Sequence, residues 1–402
     1  MSSTLLQQAT IVHGIVTDGP QDVLIVDGVI TQVGRTIITP ADETIDLGNH
    51  LLLPAAVEPH AHLDKAFLAE RAENVTGDLA GAIDAMIALT DEIDHDDIVE
   101  RAERAARLMA ANGYTAVRTH CDTTTWGGLR NTLALVEVRR RVADVIDIEI
   151  VALTGSPVVG VAGADHRALL RDALAAGADL VGGCPHLEDD GDIERSTDVF
   201  LEIAAEAGVG VDLHTDETLD PTVLGVEYLA RQVLAGFPHR VTASHCVSLG
   251  QQTASEQHRI AELVAAAGIG VVTLPHTNLW LGGRNQQPVP RGLTAIHALR
   301  AAGVAVAAGA DNLQDPFNPM GRACPFETAG LMILVAHDLP NLAWESVSLD
   351  ACRVVGTGGG SIAPGQVADL LAVPAPTLRS AIAEGPSRRR VWRRGVETTA
   401  QP

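Results

Sequence analysis

The chain has 402 residues, of which 46% are hydrophobic and 20% charged, a composition typical of a folded globular protein. Its formal net charge of −23 argues against a nucleic-acid partner, because phosphate binding requires a basic surface. No basic-then-apolar leader and no apolar run of about 18 residues is found, so we expect neither secretion nor a membrane span. Five scattered cysteines without a Cys-x-x-Cys pair predict reduced thiols and a cytoplasmic location.

Short β-like runs separated by turn signals characterise both ends of the chain. Residues 4–50 contain IVTDGPQDVLIVDGVITQVG, in which Asp-Gly pairs separate apolar stretches. Residues 365–398 contain GQVADLLAV and RRRVWRRGVE, which are also strand-like. We therefore predict a small β-sandwich domain formed by residues 1–50 together with residues 360–402.

The middle of the chain alternates short apolar segments with helical patterns. The apolar segments are 51–60, 115–122, 146–155, 178–186, 208–217, 239–246, 268–277 and 303–312. Nearly continuous apolar runs are expected of parallel strands that are covered on both faces. Eight such strands alternating with helices predict an α/β fold, a (β/α)8 TIM barrel over residues 51–359.

Metal-ligating and acid–base residues recur where these predicted strands end. They are His60 and His62 after the first segment, His214 and Glu217 after the fifth, His245 after the sixth and Asp311 after the eighth. A single histidine at a strand end is usually a hydrogen-bonded structural residue, but the ends of barrel strands meet at one face. Imidazoles with a carboxylate suit zinc or ferrous iron, and a nearby Glu217 can move a proton.

The motifs EPHAHLD, RTHCD, PHLE, DLHTDE, VTASHC, NLWLGGR, GADNLQDPF and ADLL resemble those of the amidohydrolase superfamily, in particular its cytosine deaminase-like branch. The resemblance implies that the metal ligands are His60, His62, His214 and Asp311. It further implies that Glu217 is the proton shuttle and that His245 orients the hydroxide, with Asp311 helping to deprotonate the water. The segment 178–188 lacks the bridging lysine of binuclear members, so we expect one divalent metal ion, zinc or iron, with manganese as a third candidate.

Lys65 is the only lysine in the chain. One interpretation is a surface salt bridge with Asp64 or Glu70. The other is an ammonium that reaches the substrate's oxo group or an anionic ring, where the planar fork of arginine would not substitute. The His-x-His-x-Asp-Lys pattern resembles that of the N-isopropylammelide hydrolases, and this favours a substrate contact.

The residues expected around the substrate depart from those of cytosine deaminases. The segment LTGSP lacks the glutamine that reads the pyrimidine edge, Asn312 replaces a second acid, and Phe317 replaces a tryptophan. We therefore predict Lys65, Thr154, Asn312 and Phe317 as substrate contacts, and a related but different heterocycle as substrate. His120 and His186 are candidates for pocket support or substrate contact, and the long loop 273–292 with Trp280 is a candidate cover for the site.

The function implied by the resemblance is hydrolytic deamination of an aminated N-heterocycle such as a cytosine-like pyrimidine or a triazine. Two alternatives stay open: an amidohydrolase that releases an alkylamine or opens a cyclic amide, and an inert scaffold. The ligand set is complete, which opposes the scaffold. Members of the family assemble as oligomers, so the resemblance also implies a homo-oligomer that acts on a small molecule.

Overall fold

The computed structural model describes residues 2–13, 16–17, 19–189, 191–284 and 286–398. Two β-sheets organise this part of the chain: a mixed sheet from both termini and an eight-stranded parallel barrel. The predicted (β/α)8 barrel with a small β domain from both termini is thereby confirmed. The domain limits, 1–50 with 360–402 and 51–359, stay a prediction. Residues 1, 14, 15, 18 and 399–402 of that prediction lie outside the described residues.

The sheet from both termini begins with six strands. They are β1 (Ser3–His13), β2 (Val16–Thr17), β3 (Gln21–Val26), β4 (Val29–Gly34), β5 (Glu43–Asp46) and β6 (Leu51–Pro54). Strand β1 pairs antiparallel with β3 and parallel with β5 and β6. The hydrophobic core of this sheet includes the fully buried Leu6, Ile11 and Val23.

Eight parallel strands follow in chain order around the barrel. They are β7 (Ala56–Ala61), β8 (Tyr114–Thr123), β9 (Asp147–Thr154), β10 (Leu180–Gly183), β11 (Val211–Thr215), β12 (Val241–His245), β13 (Gly270–Thr273) and β14 (Val306–Ala308). The predicted first segment, 51–60, is divided, because Leu51–Pro54 joins the sheet from both termini and the barrel starts at Ala56.

Three C-terminal strands complete the sheet from both termini: β15 (Leu370–Val373), β16 (Arg390–Arg393) and β17 (Val396–Glu397). Strand β15 runs antiparallel to β6, and β16 runs antiparallel to β15. The buried Trp392 of β16 packs into the same core as β1 and β3. The C-terminal strands thus belong to the same sheet as the N-terminal strands, as the turn-rich ends of the sequence predict.

The helices lie between and after the barrel strands. They are α1 (Leu79–Leu89), α2 (His95–Asn112), α3 (Arg130–Arg141), α4 (Ala164–Ala176), α5 (Ile193–Ala207), α6 (Gly225–Leu234), α7 (Ala254–Ala266), α8 (Pro275–Leu281), α9 (Ile296–Ala301), α10 (Pro325–Val335), α11 (Pro340–Val347), α12 (Leu349–Val355) and α13 (Leu378–Glu384). Helix α2 shows why such segments are helical. Asp94 caps its first turn, and Gly113 ends it at φ 107°, a left-handed conformation that glycine tolerates. In the described ranges, no helix is long and apolar enough to cross a membrane.

The barrel closes between β14 and β7 through the residues that follow each strand. Asp311 N donates to His60 O at 3.0 Å, and His62 N donates to Asp311 O at 3.2 Å. The buried Glu58 carboxylate strengthens this seam by accepting from Ala310 N at 3.0 Å and from His60 N at 3.3 Å. Closure therefore brings the His60–His62 pair directly beside Asp311.

Candidate active site

Five side chains from four strand ends converge in the barrel. His62 Nε2 lies 3.2 Å from Asp311 Oδ1 and 3.3 Å from His214 Nε2. His60 Nε2 lies 3.6 Å from Asp311 Oδ1, and His245 Nε2 lies 4.0 Å from Asp311 Oδ2. His245 and Asp311 adopt φ values of 70° and 63°, which are uncommon for residues with a Cβ and typical of functional positions. The structure thus brings together the predicted metal ligands and His245.

The chemistry of these side chains fits a divalent cation. His60 Nε2, His214 Nδ1, His245 Nε2 and both Asp311 oxygens are buried without a hydrogen-bond partner among the described residues. Unpartnered buried polar atoms are costly and need an explanation. Burial, aided by the neighbouring imidazoles, holds the pKa values of His60 and His214 well below the usual range, so both rings are neutral and offer lone pairs. The His60–His62–Asp311 grouping is compact enough to hold one ion.

A chain of buried polar groups under the cluster orients His60. Ser244 Oγ donates to Asp212 Oδ1 at 2.8 Å and therefore accepts from His60 Nδ1 at 2.9 Å. Asp212 in turn accepts from Arg118 Nη1 at 2.8 Å. The proton of His60 is thus held on Nδ1, which leaves the Nε2 lone pair directed at Asp311 and the cluster.

Glu217 lies beside His245 at the edge of the cluster. Its Oε1 is 3.3 Å from His245 Nδ1 and accepts from Asn278 Nδ2 at 3.2 Å. Burial, and then the Asp311 carboxylate, raise the pKa of Glu217 well above its usual range. A carboxyl group in this environment can hold and release a proton, which is the property that a proton shuttle needs.

Asn278 is a site residue that sequence reasoning did not predict. Its Nδ2 lies 3.0 Å from His245 Nδ1, which therefore accepts, so the proton of the His245 ring sits on Nε2 and points into the site. Burial lowers the pKa of His245 to about 4, which keeps this ring a neutral donor near pH 7. The motif NLWLGGR contained Asn278, but its contact with His245 depends on how α8 packs.

Lys65 is buried, with 3% of its surface exposed, so its predicted salt bridge with Asp64 is present but does not lie at the surface. Its Nζ donates to Asp122 Oδ1 at 2.6 Å and lies 3.1 Å from His62 Nδ1 and 3.9 Å from Asp64 Oδ1. Burial disfavours the ammonium, but Asp122 and Asp64 outweigh it and hold the pKa of Lys65 above its ordinary value. Lys65 is therefore a charged group beside the cluster.

The cluster opens into a cavity of about 340 Å³, within the range of small-molecule sites. All four predicted substrate contacts, Lys65, Thr154, Asn312 and Phe317, line it. Thr154 Oγ1 is buried without a partner in the described part of the chain. The Asn312 amide is engaged on both sides: its Nδ2 donates to Asp315 at 2.8 Å and its Oδ1 accepts from Thr277 at 3.3 Å.

Apolar side chains form the outer wall of this cavity. Leu79, Ile83 and Met86 project from α1 at helical spacing, and Trp126 and Leu187 lie on the same cavity. Of the predicted cover 273–292, Thr277 lines the cavity and Trp280 does not, while residue 285 lies outside the described residues. Helix α1 therefore forms the outer wall of the cavity, whereas the sequence predicted loop 273–292 as its cover.

His120 and His186 support the site from outside the cavity lining. The His120 ring stacks on His60 with centroids 3.9 Å apart, and both His120 nitrogens are buried without a hydrogen-bond partner in the described ranges, although Nε2 lies 3.7 Å from Asp212 Oδ1. His186 Nδ1 lies 3.1 Å from His214 O. Of the two roles left open by the sequence, these contacts favour pocket support.

A (β/α)8 fold with buried histidines and an aspartate at the carboxyl ends of its strands defines a class of barrel hydrolases. The amidohydrolase family model matches residues 66–398, so this chain belongs to the amidohydrolase family, as its motifs predict.

Several relatives of this chain act on nitrogen heterocycles. A pterin deaminase of Rhizobium rhizogenes is 33% identical over 384 residues, 93% of this chain and 86% of that protein. Two solved structures each cover 99% of this chain and 98% of their own. The 5-methylcytosine deaminase from Klebsiella pneumoniae liganded with 5-fluorocytosine has 28% identity and a TM-score of 0.88. The N-isopropylammelide isopropylaminohydrolase from Burkholderia multivorans has 30% identity and a TM-score of 0.84.

Proposed function

We propose that this chain is a metal-dependent hydrolytic deaminase that removes ammonia from an aminated N-heterocycle. The observation that carries the proposal is the position of Glu217, 3.3 Å from His245 and beside the His–Asp cluster at the base of a cavity of about 340 Å³. A proton shuttle placed between a cation site and a ring-sized cavity is the arrangement that C–N hydrolysis requires. The likeness to pterin and 5-methylcytosine deaminases supports the same chemistry.

The residues proposed to hold one divalent cation are His60, His62, His214 and Asp311. When bound, the cation supplies Lewis acidity, which makes water a competent nucleophile near neutral pH. Zinc and iron both suit imidazole and carboxylate ligands, with manganese as the third candidate. The strand β10 and the turn after it, Leu180–Leu187, contain no lysine for a bridge to a second metal, which supports a single ion.

Glu217 is the residue proposed to move the proton. Its carboxylate takes a proton from the attacking water and delivers it to the leaving nitrogen, so that ammonia departs instead of an amide anion. The raised pKa of Glu217, caused by burial and by Asp311, lets it hold that proton between the two steps. Asn278 keeps Glu217 and His245 in place by contacting both.

His245 and Asp311 are proposed to act on the oxygen side of the reaction. The proton on His245 Nε2 can be donated to the oxygen that gains negative charge when the ring carbon becomes tetrahedral. Asp311, whose pKa is raised by burial, assists in deprotonating the water. Both residues line the cavity, which supports these roles.

Lys65, Thr154, Asn312 and Phe317 are proposed substrate contacts. Lys65 supplies an ammonium and Thr154 an unpartnered hydroxyl, while Phe317 offers an aromatic face 5.8 Å from Lys65 Nζ. Asn312 is held by Thr277 and Asp315, so it contributes a fixed rather than an adaptable amide.

Release of an alkylamine is the second candidate reaction. The apolar wall of Leu79, Ile83 and Met86 would accommodate an alkyl group on the leaving nitrogen. The likeness to an N-isopropylammelide isopropylaminohydrolase supports this alternative. The homo-oligomeric state and the cytoplasmic location stay predictions.

The test is ammonia release from metal-reconstituted protein. Cytosine, isocytosine, 5-methylcytosine, pterin and ammelide-type triazines form the panel, with Glu217→Gln as the matched blank that keeps the shape of the side chain. We expect release from at least one ring and a rate roughly 100- to 10,000-fold lower in the blank. Silence across the panel by a metal-loaded protein, together with alkylamine release from N-alkyl triazines, would establish the second candidate instead.

A further inference from the structure

Lys65 and Asp122 form an ion pair on the wall of the cavity, and the proposed mechanism gives Asp122 no role. Lys65 Nζ and Asp122 Oδ1 are 2.6 Å apart, and both side chains line the cavity. The two differ in exposure: the Lys65 side chain retains 4% of its surface and the Asp122 side chain 23%. The carboxylate is therefore the more accessible member of the pair.

The pair has spare hydrogen-bonding capacity that faces the cavity. An ammonium has three donors, and in the described part of the chain Asp122 Oδ1 and His62 Nδ1 can engage at most two of them. The second carboxylate oxygen of Asp122, Oδ2, accepts no hydrogen bond from the described residues, since the Asp122 side chain bonds only through Oδ1. One donor and one acceptor thus lie side by side.

A second acid explains why Asp122 is free to bind a ligand. Asp64 lies 3.9 Å from Lys65 Nζ, and its Oδ2 accepts from Asp122 N at 2.9 Å and from Asn131 Nδ2 at 2.8 Å. Asp64 does not line the cavity among the described residues, so it neutralises the ammonium from behind. Two carboxylates flank one ammonium, and the surplus negative charge reaches the cavity only through Asp122.

We propose that Asp122 and Lys65 together bind the lactam edge, –NH–CO–, of the substrate ring. The ring N–H donates to Asp122 Oδ2, and Lys65 Nζ donates to the adjacent oxo group. This inference rests on the proposed function and narrows its substrates to aminated heterocycles that carry a secondary lactam. Rings that are N-alkylated at this edge, or that lack the oxo group, would leave Asp122 Oδ2 or the third Lys65 donor without a hydrogen-bond partner and be rejected.

The direct test compares pterin with 3-methylpterin, and isocytosine with 3-methylisocytosine, as substrates of the holoenzyme. We expect kcat/KM to favour each free lactam by roughly 100-fold, because a pocket built to accept an N–H discriminates strongly against its absence. In Asp122→Asn this preference should shrink about tenfold or more, since the amide no longer offers an anionic acceptor. Asp64→Asn, which removes the other carboxylate beside Lys65 but no contact with the ring, is the matched comparison, and its preference should fall less than that of Asp122→Asn.

If Asp122→Asn lowered kcat/KM equally for the free lactam and for its N-methyl analogue, the inference would be overturned. The absence of any preference in the wild type would overturn it as well. A binding measurement distinguishes failure of the lactam contact from failure of the proposed deaminase function. 1-Methyllumazine and 1,3-dimethyllumazine, which differ only in the N3–H of the lactam, are titrated into metal-loaded Glu217→Gln by calorimetry, where no turnover is needed. Tighter binding of 1-methyllumazine without ammonia release from any ring would uphold the lactam contact and reject the deaminase. Equal binding, or no binding of either at millimolar concentration, would reject the lactam contact itself.

Discussion

Arg118 lies beneath the site, and its replacement by methionine should destabilise the whole barrel. The Arg118 side chain and the Asp212 carboxylate are fully buried and 2.8 Å apart. Without the guanidinium, the Asp212 carboxylate keeps, among the described residues, only the hydrogen bond from Ser244 Oγ and becomes a buried, uncompensated charge. Breaking such a pair costs about 3–5 kcal/mol. The second ion pair of Arg118, with the partly exposed Glu149, adds less than about 1 kcal/mol.

The double variant Arg118→Met with Asp212→Asn isolates the cause. It removes the unpaired charge but leaves Thr242 Oγ1 without its Arg118 donor, at about 1 kcal/mol, whereas Val355 O keeps Arg240 Nη1 as a donor. We therefore expect the double variant to recover about half of the lost free energy of unfolding. Urea unfolding of the metal-loaded proteins, followed by circular dichroism, measures both values. A single variant whose free energy of unfolding lies within about 1 kcal/mol of the wild type would show that Asp212 is not left as an uncompensated charge. A double variant no more stable than the single variant would show the same.

Three further substitutions test the site. Ser244→Ala removes the group that holds the His60 proton on Nδ1, and it should weaken metal affinity, measured by equilibrium dialysis, about 10- to 100-fold. The control is Ser248→Ala, which removes a buried hydroxyl without a hydrogen-bond partner among the described residues and should leave metal affinity unchanged. Lys65→Arg should keep metal and fold but lose most of kcat/KM, and near wild-type activity would remove Lys65 from the substrate contacts. Asn278→Ala should lower kcat about tenfold or more at unchanged metal content, because the His245 proton is no longer directed into the site; an unaltered kcat would contradict that role.

The fold and the cluster were predictable because both follow from periodicity. Apolar segments at regular spacing specify parallel strands, and parallel strands place their carboxyl ends on one face. His60, His62, His214, His245 and Asp311 therefore had to be neighbours even though they are spread over about 250 residues. The boundary between β6 and β7 was not readable, because residues 51–57 form one continuous apolar run that contributes to two sheets.

Contacts that depend on side-chain packing were not predictable in the same way. Asp122 and Arg118 lie on one strand, β8, yet Asp122 faces the cavity with Lys65 while Arg118 binds Asp212 below the cluster. Nothing in the motif RTHCD distinguishes these roles, since an alternating pattern assigns faces but not partners. Helix α1 was also missed as a cavity wall, because its apolar residues are equally consistent with ordinary core packing.

Titration of chelator-treated protein with metal tests most directly the proposal that one bound metal ion makes this chain a deaminase. Metal is added in known equivalents, and the initial rate of ammonia release from the preferred ring is measured after each addition, with Glu217→Gln in parallel. We expect a rate that rises linearly to one equivalent and then stays constant, and a variant that binds one equivalent without activity. A rate that keeps rising to two equivalents, or full activity without metal, would contradict it.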